Sequence, residues 1–363
     1  MSRVIDAIAT GAQGPDAPAF RVRLSLPAEA LRANGVNLRL LPLFTPAEAE
    51  IVRSGALAAR GRTLLGARRR LGPELRRIQD ADVVVIQRQV DLFPSRTLER
   101  QAIAGRALIL DVDDAMWLPQ PGGHPLGRLR RNGAKLRWLA GRADHVIAGN
   151  EYLAEWLSRY ARRVSVVPSL VDVEKVTPRV HRAAGTLTLG WIGSHSTVRY
   201  LDALGPVLAG FARAHPDLPV TLIVVGGRVA AIPGVRIEHW PWNVEAETAA
   251  LAAMDVGLMP LPDNAWTRGK CAYKALQYMA AAVPVVADDV GLTATIVGDG
   301  EAGILAGGPS GWTDALLHLA DDARVRQRMG TAGRARVEDR FSVRAWAPRL
   351  AALISGARAA DRR

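Results

Sequence analysis

The chain has 363 residues, of which 49% are hydrophobic, and a formal net charge of +12. That length suits two domains with their own cores, and no apolar run reaches the roughly 18 residues a membrane-spanning helix needs. A single cysteine, Cys271, excludes an intramolecular disulfide and a cysteine zinc cluster, and fits a reducing, cytoplasmic compartment.

The N-terminal segment is too short in apolar core for a secretory signal and reads as a first strand, Val4–Ile8, running into a glycine-bearing loop. Further strands are predicted at Val36–Leu41, Asp82–Ile86, Ala107–Asp111, Asp144–Ala148 and Val164–Val167. Helices fall between them, the clearest being Glu151–Tyr160 with Asn150 as its N-cap. The polar stretch Asp172–Gly185 interrupts the periodicity and reads as a linker. The pattern restarts at Thr186 with TLTLGWIGSHS, and strands follow at Val220–Val225, Val235–His239, Val256–Met259 and Val283–Ala287. Thr313–Ser355 reads as helical, its last helix anchored by Phe341, Trp346, Leu350 and Ile354. Strand–helix alternation on this scale predicts a parallel α/β architecture of two doubly wound domains facing across a cleft, with ligands outside the carboxyl ends of the strands. The boundaries are 1–175, 186–340 and a terminal helical segment 341–363.

The positive charge is unevenly spread. Arg60, Arg62, Arg68, Arg69, Arg70, Arg76 and Arg77 surround a helix carrying Leu64, Leu65, Leu71, Leu75 and Ile78. Arg128, Arg130, Arg131, Lys135 and Arg137 form a second group, with Trp138 and Leu139 behind it. Basic amphipathic helices of this kind can rest on an anionic membrane, and arginine-rich solvated helix faces give the same pattern. No helix-turn-helix or aromatic RNA-binding signature is present, so nucleic acid is not expected as a partner.

Residues 266–291 carry the most chemistry. The chain has only four lysines, Lys135, Lys175, Lys270 and Lys274, and two of them lie here. On a helix over 270–282, Lys270, Lys274 and Gln277 share a stripe about 60° wide, opposite Ala272, Leu276 and Met279. Cations at a helix N-terminus oppose the helix dipole, and they make sense where an anion such as a diphosphate binds. Gly190–Ser196 (GWIGSHS) ends a strand in a loop of small residues able to approach a phosphate, with Arg199 following. His239–Asn243 (HWPWN) places Trp242 where a ring could flank a nucleobase, or where it could plug the core. Asp111, Asp113 and Asp114 end an apolar strand and could hold a metal, orient an acceptor hydroxyl or cap the next element. His124 and His195 lie in loops. A Gly-x-Ser-x-Gly elbow and a Gly-x-Gly-x-x-Gly fingerprint are both missing, which argues against hydrolase and dehydrogenase chemistry.

The run RGKCAYKALQYMAAAVPVVA, the following DDVGLTATIVGDGEAGILA and the tail WTDALLHLADDARVRQRMGTAGRARVEDRFS resemble glycosyltransferase family 4, the group 1 transferases of GT-B fold; DVDDAMW and AGNEYLAEWL resemble a bacterial branch of it. The resemblance implies a retaining transfer of a sugar from a nucleotide diphosphate donor to a glycan or lipid-linked acceptor, as in cell-surface polysaccharide assembly. The second domain would hold the donor and the first the acceptor, and the last helix would cross back to the first domain. Gly193, Ser194, Arg199, Trp242, Lys270, Lys274 and Gln277 would bind the donor. Gly14, Arg21 and Asp113 would lie on the acceptor side, and Arg199, Lys274, Asp113, Asp114 and His124 would be catalytic. No cofactor or metal is required by this reading, and magnesium is not expected to be essential. Gly269 stands where the family usually has the first Glu of its Glu-x7-Glu motif, Gln277 where it has the second, and Ser194 where Arg is common. A catalytically weak relative that only binds a sugar nucleotide is the alternative these departures leave.

Overall fold

The computed structural model describes residues 4–78, 80–119, 133–183, 185–298 and 300–360. It divides into two compact units. Unit 1 comprises Met1–Leu170, Gly269–Cys271 and Val343–Arg363; unit 2 comprises Val171–Arg268 and Ala272–Ser342.

Unit 1 begins with β1 (Ile5–Gly11), then α1 (Pro18–Phe20), a π-helical turn (Arg21–Ser25) and α2 (Ala28–Ala33). Strand β2 (Val36–Pro42) leads to α3 (Pro46–Ser54) and α4 (Leu57–Arg77). There follow β3 (Val83–Gln87), α5 (Thr97–Ile103), β4 (Ala107–Val112), α6 (Gly133–Ala140), β5 (His145–Ala148), α7 (Glu151–Leu157) and β6 (Val164–Val166). All pairings are parallel, in the order β2-β1-β3-β4-β5-β6. The runs VVVIQ and ALILDV are buried at every position, which is what a strand covered on both faces requires. Asn150 caps α7, its side chain accepting from the Leu153 N–H at 2.9 Å.

Unit 2 contains β7 (Leu187–Ile192), α8 (Val198–Asp202), α9 (Gly205–Ala214), β8 (Val220–Val225), β9 (Val235–Trp240), α10 (Val244–Ala253) and β10 (Val256–Met259). It continues with α11 (Ala265–Arg268), α12 (Tyr273–Ala280), β11 (Val285–Asp288), α13 (Thr293–Val297), β12 (Gly303–Ala306), α14 (Gly308–Asp321) and α15 (Ala323–Arg340). Its parallel sheet runs β12-β11-β10-β7-β8-β9, a doubly wound order whose switch point falls between β7 and β10. Two apolar layers cover the sheet, one including Ile223, Leu276 and Met279 and the other Leu189, Leu222, Phe211 and Leu316.

The last helix, α16 (Val343–Ala360), belongs to unit 1, where Val343, Leu350, Ala351, Ile354 and Ala357 join the core. Phe341 is not one of its anchors. It precedes the helix and is buried in the core of unit 2. The two units are Rossmann-like α/β sheets.

Candidate functional site

In unit 2, Lys274 and Trp191 meet at the end of β7, beside the switch point. Gly193 follows the strand, and its N–H is bound to Val225 O at 3.0 Å. A Cβ there would lie 2.2 Å from the indole of Trp191, so the ring passes directly under the loop. Gly226 has a left-handed φ of 78°, and a Cβ on it would meet Gly193 O at 2.3 Å. Glycine is thus required on both walls. Ser194 opens the next turn: its N–H donates to Thr197 Oγ1 at 3.3 Å, and the N–H of Val198, the first residue of α8, donates to Ser194 O at 3.1 Å. Ser194, His195 and Ser196 are exposed.

The Lys274 ammonium lies 4.7 Å from the centroid of the Trp191 ring, a cation–π contact that holds it beside the glycine loop. Arg199, half-buried on α8, donates from Nη2 to Tyr200 Oη at 3.0 Å. Trp242 is half-buried and donates from Nε1 to Glu247 Oε2 at 3.0 Å, which fixes its ring plane. Beneath them, Tyr278 Oη accepts from the Ile192 N–H at 3.0 Å and clamps α12 to the end of β7. Burial pushes the Tyr278 hydroxyl well above its ordinary range, so it stays a neutral clamp.

The expected lysine stripe is not present as such. Helix α12 starts at Tyr273, because Ala272 takes a left-handed φ of 48° and stops the helix from extending back to residue 270. Lys270 therefore lies outside the helix. Gln277, placed by the periodicity on a polar face, is 5% exposed, because every residue from Ala275 to Ala280 is buried.

In unit 1, the carboxylates at the end of β4 and just beyond it are matched by cations. Asp111 pairs with Arg23 from the π-helical turn, at 2.6 Å between Oδ2 and Nη2. Arg23 also donates to the carbonyls of Val167 and Pro168. Asp113 accepts from Arg88 Nε at 2.6 Å and Nη2 at 2.9 Å, and from Gln87 Nε2 at 2.8 Å. Burial opposes ionisation of Asp113, and Arg88 outweighs it, holding the carboxyl below the usual range. Asp114 receives Arg88 Nη2 at 3.1 Å and Lys270 Nζ at 3.0 Å. Arg88 is itself left-handed, with φ 61°, a backbone cost that the double pairing offsets.

The Gly269–Cys271 segment is fixed in unit 1 by the Lys270–Asp114 pair and by two further hydrogen bonds. Asn150 Nδ2 donates to Lys270 O at 3.1 Å, and Cys271 Sγ to Asp113 O at 3.2 Å. A Cβ on Gly269 would come within 2.8 Å of Ala115 Cβ, so a glutamate does not fit where the family usually carries one. Burial pushes the Cys271 thiol up, far from a reactive thiolate.

Gly14 is buried, with room for no side chain: a Cβ would meet Ala49 Cβ at 2.8 Å. Arg21 is half-buried on the π-helical turn. His124 and the arginines at 128, 130 and 131 lie outside the described residues. Lys135 is not on a basic surface. It is 4% exposed, its ammonium bound to Glu99 Oε1 at 2.8 Å and to the carbonyls of Asp91 and Phe93. Trp191, Tyr278, Arg23 and Arg88 were not singled out by sequence. They act as supports under the motif residues, and a strand tryptophan or a loop arginine carries no spacing signal of its own.

A glycine-walled loop with a lysine held beside it thus lies at the switch point of a Rossmann-like sheet, the place where doubly wound sheets of this kind take their ligands. The family described as "Glycosyl transferases group 1" matches residues 186–322, which lie in unit 2. Among curated proteins it is similar to a D-inositol 3-phosphate glycosyltransferase of Paenarthrobacter aurescens, 28% identical over 238 residues, covering 58% of this chain and 57% of that protein. A protein of the same description from Corynebacterium diphtheriae is 27% identical over 199 residues, covering 47% of this chain and 45% of that one. The chain spans about half the length of the curated relatives it matches. Among solved structures, sucrose-phosphate synthase from Thermosynechococcus elongatus has a TM-score of 0.67 at 14% identity, covering 98% of this chain and 100% of the other. HepE of Anabaena, solved with UDP and glucose, has a TM-score of 0.63 at 13% identity, covering 97% and 100%. These likenesses establish the GT-B type of fold.

Proposed function

We propose that the chain is a retaining glycosyltransferase that moves a sugar from a nucleotide diphosphate sugar to a glycan or lipid-linked acceptor, in cell-surface polysaccharide assembly on the cytoplasmic side. The observation that carries this reading is the Lys274 ammonium held on Trp191 beside the glycine loop of Gly193 and Gly226. The relatives described as glycosyltransferases and the neighbour solved with UDP and glucose support it.

In this reading, the exposed loop that follows Gly193 receives the diphosphate, and Trp242 lies on the base side. As the bond between the sugar and the diphosphate breaks, negative charge grows on the leaving group, and Lys274 and Arg199 stabilise it. The arrangement calls for no metal. Lys270 holds Asp114, so Asp113, Asp114, Arg88 and Lys270 form a charge-balanced scaffold for the acceptor side of unit 1. Gly14 shapes the backbone there, and Arg21 supplies a nearby cation.

The test is to incubate the protein with UDP-, GDP-, ADP- and TDP-linked sugars, with magnesium or with EDTA, and follow nucleoside diphosphate release. Release from one donor in EDTA, with the anomeric configuration kept in the product, is expected. Donor binding without any release would favour the catalytically silent alternative.

A further inference from the structure

We propose that a row of aromatic rings along α7 in unit 1, flanked by arginines, is a subsite for an acidic glycan, a chain of sugar rings carrying carboxylate or phosphate groups. The inference deepens the proposed transfer by naming the chemistry of its acceptor, and it rests on that reading.

Four rings form the row. Trp117, a few residues beyond Asp114, stacks on Trp156 with centroids 4.1 Å apart and planes parallel, and its ring lies 6.2 Å from that of Tyr152. Trp156 in turn meets Tyr160 at 4.9 Å. Tyr152 and Trp156 stand one helical turn apart on α7, on the shoulder between its core face of Leu153, Ala154 and Leu157 and its exposed Glu151 and Glu155. None of the four rings is buried, and Tyr160 is 38% exposed. The row runs beside α6. A Cβ on Gly133, at the start of that helix, would lie 3.5 Å from Trp117 Cβ, and one on Gly141, just past its end, 3.6 Å from Tyr160 O. The row starts near the carboxylate cluster, because Asn150, which caps α7, also holds the backbone of Lys270, the partner of Asp114.

The cations of this surface are not taken by carboxylates. Arg137, exposed on α6, has its guanidinium 6.0 Å from the centroid of the Tyr160 ring. Trp138 beside it carries two more, Arg142 at 4.9 Å and Arg96 at 5.1 Å. Among the described residues, none of these three arginines has an ion pair. Of the acids on α7, Glu155 is paired with Arg159, and Glu151 sits in the first turn, where the helix dipole offsets its charge.

This combination selects the partner. A pyranose turns a face of weakly positive C–H groups to the negative face of an aromatic ring, while its hydroxyls point outward to the rim. Tyr152 and Trp156 are about 6 Å apart along the helix axis, close to the length of one hexose in a chain. A nucleic acid strand stacks its bases on rings that stand apart, and here Trp117 and Trp156 already cover one another and leave no slot for a base between them. A sugar needs only the outer surface of the stack. A neutral glycan would use the rings and leave the arginines idle. An acidic glycan uses both, since guanidinium groups pair with carboxylate and phosphate through two parallel hydrogen bonds. The net charge of +12 draws such a chain in.

The experiment is isothermal titration of the full chain, without donor, with a hyaluronan hexasaccharide at about 50 mM NaCl, against neutral cellohexaose and a single-stranded oligothymidylate of equal charge. The hyaluronan hexasaccharide is expected to bind tightest. Arg137→Gln/Arg142→Gln should weaken it about 25-fold, at roughly fivefold per arginine, and leave cellohexaose as it was. Trp156→Leu, which keeps apolar bulk without the ring, should weaken both glycans about tenfold. Tyr160→Ser, exposed and beyond the helix, should weaken both about threefold at an unchanged melting temperature, which keeps the test intact if Trp156→Leu disturbs α7. Nucleoside diphosphate binding should be the same in all three variants as in the wild type, so failure of this subsite and failure of the donor site are read apart. No binding of the hyaluronan hexasaccharide, equal or tighter binding of cellohexaose, or undiminished binding by the arginine variant overturns the proposal. Undiminished binding by both ring variants also overturns it, and equal or tighter binding of the oligothymidylate would reassign the surface to nucleic acid.

Discussion

Lys274→Ala separates catalysis from folding most cleanly. Its ammonium lies 4.7 Å from the centroid of the Trp191 ring, and that ring is 1% exposed and packed under Gly193. A full charge about 4 Å from the ammonium, at an effective dielectric of about 20, interacts by roughly 4 kcal/mol. Only the charge that develops as the sugar bond breaks counts toward the rate, on the order of half a unit. The loss is therefore about 2–3 kcal/mol, or roughly 30- to 150-fold in kcat. The fold loses the cation–π contact, about 1 kcal/mol, so the melting temperature should fall by about 2–4 °C. Steady-state kinetics at saturating donor and a thermal melt of the same preparation read the two effects. A kcat within threefold of wild type would refute the reasoning, as would a loss of activity fully explained by unfolding.

Arg88→Ala leaves Asp113 without its bidentate partner in a buried setting, and should destabilise unit 1 by about 3 kcal/mol, seen as a lower urea midpoint. Gly269→Glu, which restores the usual family residue, should lower stability and leave activity no higher, because the new Cβ meets Ala115 Cβ at 2.8 Å; a gain in turnover would contradict this. Acid should unfold the protein through Asp113 and Asp255. Burial opposes ionisation of both, but Arg88 at Asp113, and His181, the Thr188 N–H and Arg179 at Asp255, hold them below their ordinary values. A carboxylate depressed in the folded state contributes stability above its unfolded pKa, and loses it as pH falls through the folded one. The urea midpoint should therefore be level from about pH 7 to 5 and fall steeply below about pH 4.

Much of the fold was legible because buried parallel strands announce themselves as short β-branched runs. Val220–Val225 and Val256–Met259 fall where the sequence places them. Strand β12, Gly303–Ala306, was missed, since four residues with a glycine carry no periodicity. The lysine stripe failed for a local reason. A helical wheel assumes a continuous helix, and a left-handed Ala272 is an outcome of tertiary packing that no propensity scale foresees. The acid cluster was visible as Asp111, Asp113 and Asp114, but its meaning was not. Arg23, Arg88 and Lys270 are 88, 25 and 156 residues away from the carboxylates they pair with. Only the folded chain shows that these charges cancel. Likewise Trp191 reads as one more core residue until its ring is seen under both Gly193 and Lys274.

The most direct test of the central claim is a thermal-shift panel with UDP, GDP, ADP and TDP, each with and without Mg²⁺. One nucleotide should stabilise the protein without needing the metal, and the shift should vanish in Lys274→Ala; at a hundredfold excess over Kd the stabilisation is about 2.7 kcal/mol. No shift with any of the four, or an equal shift in Lys274→Ala, would contradict the assignment of the Gly193 loop and Lys274 as the diphosphate site.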